Sequence, residues 1–245
     1  MTETTSDAFL GGRVTVIQPK QGFRAGTDSI LLAAALDSAF SGHALEVGSG
    51  AGGALFPAAA RLPEAKFIGL ERDPDMLALA RRGVFENAFG ARIDLVEGSV
   101  GAIPSDWQNR FDLAFSNPPF FAEGAIQDPG AGKAGAYLES VPLKDWINGM
   151  LFALRPKGTF VMVHRAADLA RILSVLERQS GEIAVLPVHS YPGAEAKRVL
   201  VRARKGLRSG PMRLLEPRYL YSEKGGPRTD WALGLQQDAE GIDWD

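Results

Sequence analysis

The chain has no cysteine among its 245 residues, which removes disulfides, thiol nucleophiles and the usual Cys-containing zinc sites. That lack is compatible with a reducing compartment. Histidine is scarce as well: His43, His164 and His189 stand far apart, so no metal cluster is expected. No run of about 18 apolar residues is present to span a membrane. Met1 to Ala8 carry Thr, Ser, Glu and Asp rather than a basic stretch followed by an apolar one, so no signal peptide is read there. The formal net charge of −2 argues against a surface coated in basic charge for indiscriminate nucleic-acid binding. A soluble, cytoplasmic protein without metal or membrane partner is expected, and its oligomeric state is not legible.

What is present is enough apolar content, 45%, for one large domain or a domain with an appendage. Arg13 to Gln18 alternates like a short strand before a turn at Pro19-Lys20-Gln21-Gly22. Thr27 or Asp28 is positioned to cap a helix through Leu36. From Ala44 onward β and α units alternate. Strands are expected at 44–47, 67–70, 93–96, 111–116, 159–163, 183–188 and 199–202, and helices near 53–61, 74–87, 143–154 and 167–179. Short, nearly all-apolar strands belong to a parallel sheet covered on both faces. The expected fold is therefore α/β, a doubly wound, mostly parallel seven-stranded sheet. Its last two strands, joined at Ser190-Tyr191-Pro192-Gly193, form an antiparallel edge hairpin. Residues 1–42 read as an N-terminal strand and capping helix, 43–205 as the main domain and 206–245 as a C-terminal extension.

Two sequence features suggest a ligand. Leu45-Glu46-Val47-Gly48-Ser49-Gly50-Ala51-Gly52-Gly53 puts glycines directly after a strand. Glu71 ends the next strand about twenty residues on, where a carboxylate can accept both hydroxyls of a ribose. A nicotinamide dinucleotide is the obvious candidate, but Glu46 just before the glycines would repel its pyrophosphate. The same carboxylate suits a cationic group, such as the ammonium of S-adenosylmethionine. The second feature is Asn117-Pro118-Pro119-Phe120, closing the apolar run Phe111 to Ser116. Two prolines often merely stop a strand. They also hold Asn117 extended, so that its side-chain carbonyl and a main-chain carbonyl can accept from one planar NH₂ group. Phe120 adds a face for stacking.

The stretch Ala122 to Val141 follows directly and reads as a long loop of the functional kind. Further on, Lys197 to Arg228 contains ten basic residues against two acidic ones. After Arg228 the balance reverses to an acidic tail. The basic stripe reads either as a solvated surface or as a phosphate-backbone track.

Taken together, LEVGSGAGG, IGLERDP, VEGS and FDLAFSNPPFF resemble the motifs of class I S-adenosylmethionine-dependent methyltransferases of the NPPF/NPPY type, a Rossmann-like fold. GFRAGTDSILLAAAL, RPKGTFVMVHRAADLARILSVL and AKRVLVRARKGLRS are similar to segments of the bacterial tRNA(Val) adenine-37 N6-methyltransferases. The resemblance spans most of residues 13 to 221. It implies S-adenosyl-L-methionine as cofactor and tRNA as partner. Glu46, Gly48, Ser49 and Gly50 would then shape the cofactor pocket, Glu71 would hold the ribose and Arg72 would flank the adenine. Ser99 would lie near the adenine's exocyclic nitrogen and Thr27 near the methionine end.

By the same resemblance Asn117, Pro118, Pro119 and Phe120 would grip the target amine. Phe121, Lys133, Arg198 and Arg202 would touch the substrate. Ser99 stands where the family usually has Asp, which replaces a charge-assisted contact by a weaker one. A glutamine side chain in a protein, guanine N2 in ribosomal RNA and a non-enzymatic cofactor-binding module remain alternatives.

Overall fold

The structure is a computed structural model and describes residues 3–22, 24–119, 141–238 and 240–244. In chain order the elements are β1 (Thr4–Phe9), β2 (Val14–Pro19), α1 (Thr27–Ala34), β3 (His43–Val47), α2 (Leu55–Arg61), β4 (Lys66–Glu71), α3 (Pro74–Glu86) and β5 (Ile93–Glu97). They continue with β6 (Phe111–Ser116), α4 (Leu143–Ala153), β7 (Leu154–Arg165), α5 (Leu169–Leu176), β8 (Ser180–His189), β9 (Ala196–Lys205), β10 (Arg213–Leu214), β11 (Arg218–Tyr219) and α6 (Asp230–Gln237).

The seven expected strands form one sheet in the order β8-β9-β7-β6-β3-β4-β5, parallel except for β9, which runs antiparallel to both neighbours. The sheet is larger than expected. Two-residue strands β10 and β11 both pair with β8, so the β8–β9 hairpin does not end the sheet and nine strands take part. β1 and β2 form a separate antiparallel hairpin. It is tied to the end of α3 by Asn87, whose side chain accepts from the Thr15 amide at 2.8 Å and donates to the Thr15 carbonyl at 2.7 Å.

Alternation along β6 explains the layering. Leu113 and Phe115 face a core built with Leu31, Leu55, Phe56 and Phe67 from the α1–α2 side. Ala114, with Phe111 beyond the register shift between Phe111 and Leu113, belongs to a second core with Ile147, Met150, Leu151 and Ile172 from α4 and α5. Both faces are covered, so the middle of β6, Leu113 to Phe115, is apolar throughout. α3 starts at an N-cap, Asp73, whose carboxylate accepts from the Asp75 and Met76 amides, with Pro74 at the first helical position, both favourable for a helix start.

α1 departs from expectation. Its N-cap is Gly26, and neither Thr27 nor Asp28 caps it through a side chain. The Asp28 carboxylate is instead held by Arg198 of β9, Nε to Oδ2 at 2.9 Å. The segment after α6 folds back over the body: Trp244 is 4% exposed and donates its indole N–H to the Ala35 carbonyl at 2.8 Å. Among the described residues no helix is long and apolar enough to cross a membrane, and no group of three or more His, Asp or Glu is placed to hold a metal.

Candidate active site

The C-terminal ends of β6, β3, β4 and β5 lie side by side because the register aligns Glu46 with Phe115, Val47 with Leu70 and Glu71 with Glu97. Asn117, Gly48, Glu71 and Gly98-Ser99 therefore succeed one another along one edge. At about 4.8 Å between strands, that row spans about 14 Å, the reach of a nucleoside carrying an amino-acid arm. β3 is the point where the chain order reverses, with β4 and β5 to one side and β6 to the other. Ligands of open α/β sheets bind there.

The glycine turn is built by hydrogen bonds that decide what it can hold. Gly48 N–H and Ser49 N–H donate to the Leu70 carbonyl at 2.8 and 3.1 Å. Gly50 N–H donates to Glu71 Oε2 at 2.8 Å. Gly48, Gly50 and Gly52 all adopt positive φ, at 72°, 54° and 91°, so the turn needs residues without a Cβ. Three amides of the turn are thus bound to β4.

Glu71 has a second duty that its position in the sequence does not reveal. Its Oε1 accepts from the Asp73 amide at 2.8 Å, so the two oxygens tie the glycine turn to the start of α3. Each carboxylate oxygen accepts more than one hydrogen bond, which leaves capacity for a ribose. Neighbouring Arg72 is exposed. Ser99 is half-buried, and its hydroxyl already accepts from the Gly101 amide at 3.3 Å, capping the single turn Val100–Ala102. Thr27 opens α1, which presses on the glycine turn: a Cβ on Gly53 would meet Ala25 Cβ at 2.3 Å and Ser29 Oγ at 3.3 Å.

Three buried polar atoms at this edge have no hydrogen-bond partner among the described residues: Glu46 Oε2, Ser49 Oγ and Asn117 Oδ1. Such atoms are rare in folded proteins and mark places where a ligand completes the bonding. Glu46 is 2% exposed. Burial above all, then the negative charge of Glu71, raise its carboxyl well above the usual carboxylate range, against the opposing hydrogen bond from the Leu55 amide. A buried acid left without a countercharge suits a cation. The donor set fits S-adenosylmethionine on these grounds.

Pro118 is buried and Pro119 exposed. Phe120, Phe121 and Lys133 lie outside the described residues. Arg198 stands at the rim, paired with Asp28 and opposite Arg165 of β7. Arg202 does not join the site. It pairs opposite Val161 and Ala184 in mid-sheet, with its guanidinium 5.2 Å from the Trp244 ring centroid. Much of the basic stripe is likewise engaged within the protein. Arg204 Nε donates to the Lys157 carbonyl at 2.6 Å and Lys205 Nζ to the Leu154 carbonyl at 2.6 Å. Arg213 donates to the Trp244 carbonyl, while Arg218 and Arg228 lie over Trp231 and Tyr221. The sequence reading also missed Trp146, whose indole stands between Gly48 and Ser116.

Residues 41–201 match the family model described as a methyltransferase domain, and the chain belongs to that family, as an S-adenosylmethionine-dependent methyltransferase of class I. Within the class it sits with the family of the tRNA1(Val) (adenine(37)-N6)-methyltransferases, being 30% identical over 206 residues to the one from Porphyromonas gingivalis, a match covering 80% of each chain. The fold is also that of a solved predicted O-methyltransferase, Atu636, from Agrobacterium tumefaciens, with a TM-score of 0.73, 24% identity and coverage of 88% of this chain and 98% of that one. A 16S rRNA N2 methyltransferase from T. thermophilus, solved with AdoMet and guanosine, shares it at a TM-score of 0.60 and 22% identity, covering 83% of this chain and 50% of the other.

Proposed function

We propose that this enzyme methylates the exocyclic N6 of an adenine in the anticodon loop of a tRNA, the position-37 type. The observation that carries the reading is Asn117 Oδ1 beside the glycine turn, buried and without a partner among the described residues. The names of the relatives supply the substrate class. When bound, S-adenosylmethionine supplies an electrophilic methyl group on a sulfonium.

The chain's own residues then need to do three things. Glu46 neutralises the ammonium of the amino-acid arm. Glu71 accepts from the ribose hydroxyls while keeping the glycine turn in place. Asn117 Oδ1, with the Pro118 carbonyl, accepts from the target NH₂, drawing its lone pair out of conjugation and toward the methyl group. Alignment and these oriented acceptors carry the catalysis, and no nucleophilic side chain is required. An unpaired loop nucleotide suits such a site, because a base must leave its stack to enter.

The test is transfer of labelled methyl from the cofactor to tRNA, ribosomal RNA and a release factor in parallel. Label on adenine N6 in tRNA is expected. Label on ribosomal guanine or on protein glutamine instead would replace the substrate assignment.

Glu46 makes cofactor binding depend on pH in a definite direction. With its carboxyl raised in the folded protein, the unliganded site holds a proton that a cationic ligand has to displace. Affinity is therefore expected to increase as pH rises from the ordinary carboxylate range up to the raised value. The stability of the unliganded protein runs the other way. Its Glu46 contribution is full below the unfolded-state value and falls as pH rises toward the folded one, because the folded state binds the proton more tightly there. Calorimetric titrations and thermal melts across pH check both slopes. Glu46→Gln should flatten the affinity slope; if it titrates like the wild type, the assignment of Glu46 is wrong.

A further inference from the structure

The β3–β6 ladder ends with Glu46 opposite Phe115. One residue further, where Val47 and Ser116 face each other, a side chain takes over. The Ser116 hydroxyl, fully buried, donates to the Val47 carbonyl at 2.6 Å. The same oxygen accepts from Trp146 Nε1–H of α4 at 2.9 Å. Ser116 thus has its proton directed one way and its lone pair filled from the other, an arrangement in which each bond polarises the next.

The indole is located from its other side as well: a Cβ on Gly48 would lie 2.8 Å from Trp146 Cζ2. The ring occupies the space that glycine leaves. α4 also reaches the third part of the edge, since a Cβ on Gly149 would meet the Val100 carbonyl oxygen at 2.9 Å. One helix therefore touches the turn that takes the methyl donor, the strand tip that carries Asn117 and the turn after β5.

We propose that Trp146 is a positioning residue, whose N–H, acting through Ser116, fixes the separation between the Gly48 turn and Asn117. The proposal rests on the methyl-transfer reading. A transfer reaction is sensitive to this separation because the reacting atoms have to meet in line; a misplacement of 1 Å costs on the order of a hundredfold in rate. An indole present only as packing would be served as well by another ring.

Trp146→Phe keeps an aromatic ring against Gly48 and removes the N–H. It is expected to lower kcat by about 10- to 100-fold while leaving KM for the cofactor within about twofold. Ser116→Ala should lower kcat similarly. The double variant should be no worse than the poorer single one, since both break the same link. Unchanged kcat in Trp146→Phe, or losses that multiply in the double variant, would overturn the proposal.

A readout without turnover separates this from the reading beneath it. The Trp146 indole N–H resonance, identified by its loss in Trp146→Phe, should exchange slowly in the wild type and fast in Ser116→Ala. Equal exchange in both refutes the link whatever the activity. A wild type that binds the cofactor and protects the indole but methylates none of the acceptors refutes the methyl-transfer reading instead.

Discussion

Asn117→Ala is expected to lower kcat by about 10²- to 10³-fold, the usual cost of removing one oriented polar group at a reacting centre, with the cofactor dissociation constant changed by no more than a few-fold. The second half of the expectation concerns stability and is less usual. Deleting a buried polar side chain normally destabilises, because its partner is left unsatisfied. Asn117 Oδ1 is buried with no partner among the described residues, so its removal strands none of them, and the melting temperature should stay level or rise. Activity lost while stability holds is the signature of a group kept for function against the interest of the fold. A variant that melts well below the wild type would mean that Asn117 is structural, and the amine grip would fall with it.

Trp244→Ala is expected to cost about 3–5 kcal/mol, the range for removing a large aromatic side chain from a packed interior, and to lower the melting temperature by about 10 °C for a chain of this size. Three independent contacts meet at this residue. Its ring is 4% exposed, its N–H caps the Ala35 carbonyl just beyond α1, and Arg202 lies over its face. Trp244→Phe, which keeps most of the apolar area and loses the N–H, should fall between the two. Thermal and urea melts decide it: a Trp244→Ala protein as stable as the wild type would show that the returning segment is an ornament.

How far each feature could be read from the sequence follows from where its causes lie. β6 spans Phe111–Ser116 as expected, because a strand buried on both faces is a local apolar run bounded by Arg110 and Asn117. β10 and β11 escaped because two-residue strands exist only through their pairing with β8; nothing local specifies them. No strand is expected in the polar stretch that forms β1, although its Thr and Ser residues suit a half-exposed hairpin strand. α6 carried a usable signal, Thr229 accepting from the Ala232 amide as an N-cap, masked by the acidic residues that follow.

The row Asn117, Gly48, Glu71 was legible because each ends a recognisable strand. What those residues bond was not. Asp28, one of two candidate helix caps with Thr27, is claimed by an arginine 170 residues away. Trp146 reaches Ser116 across 30 residues without any periodicity to announce it. The partners of Arg204, Lys205, Arg213, Arg218 and Arg228 are likewise rings and carbonyls brought together only by the fold.

The contact between Trp244 and Ala35 spans 209 residues, and the neighbouring Ile242 amide bonds Ala34 at 2.9 Å. During synthesis α1 emerges early, yet the carbonyls beyond its last turn wait for partners until almost all of the sequence shown here has been added. At roughly 5–20 residues per second, that interval is about ten to forty seconds. Until residues 242–244 arrive, water alone can bond the Ala34 and Ala35 carbonyls at the end of α1, and the face that Trp244 covers stays open.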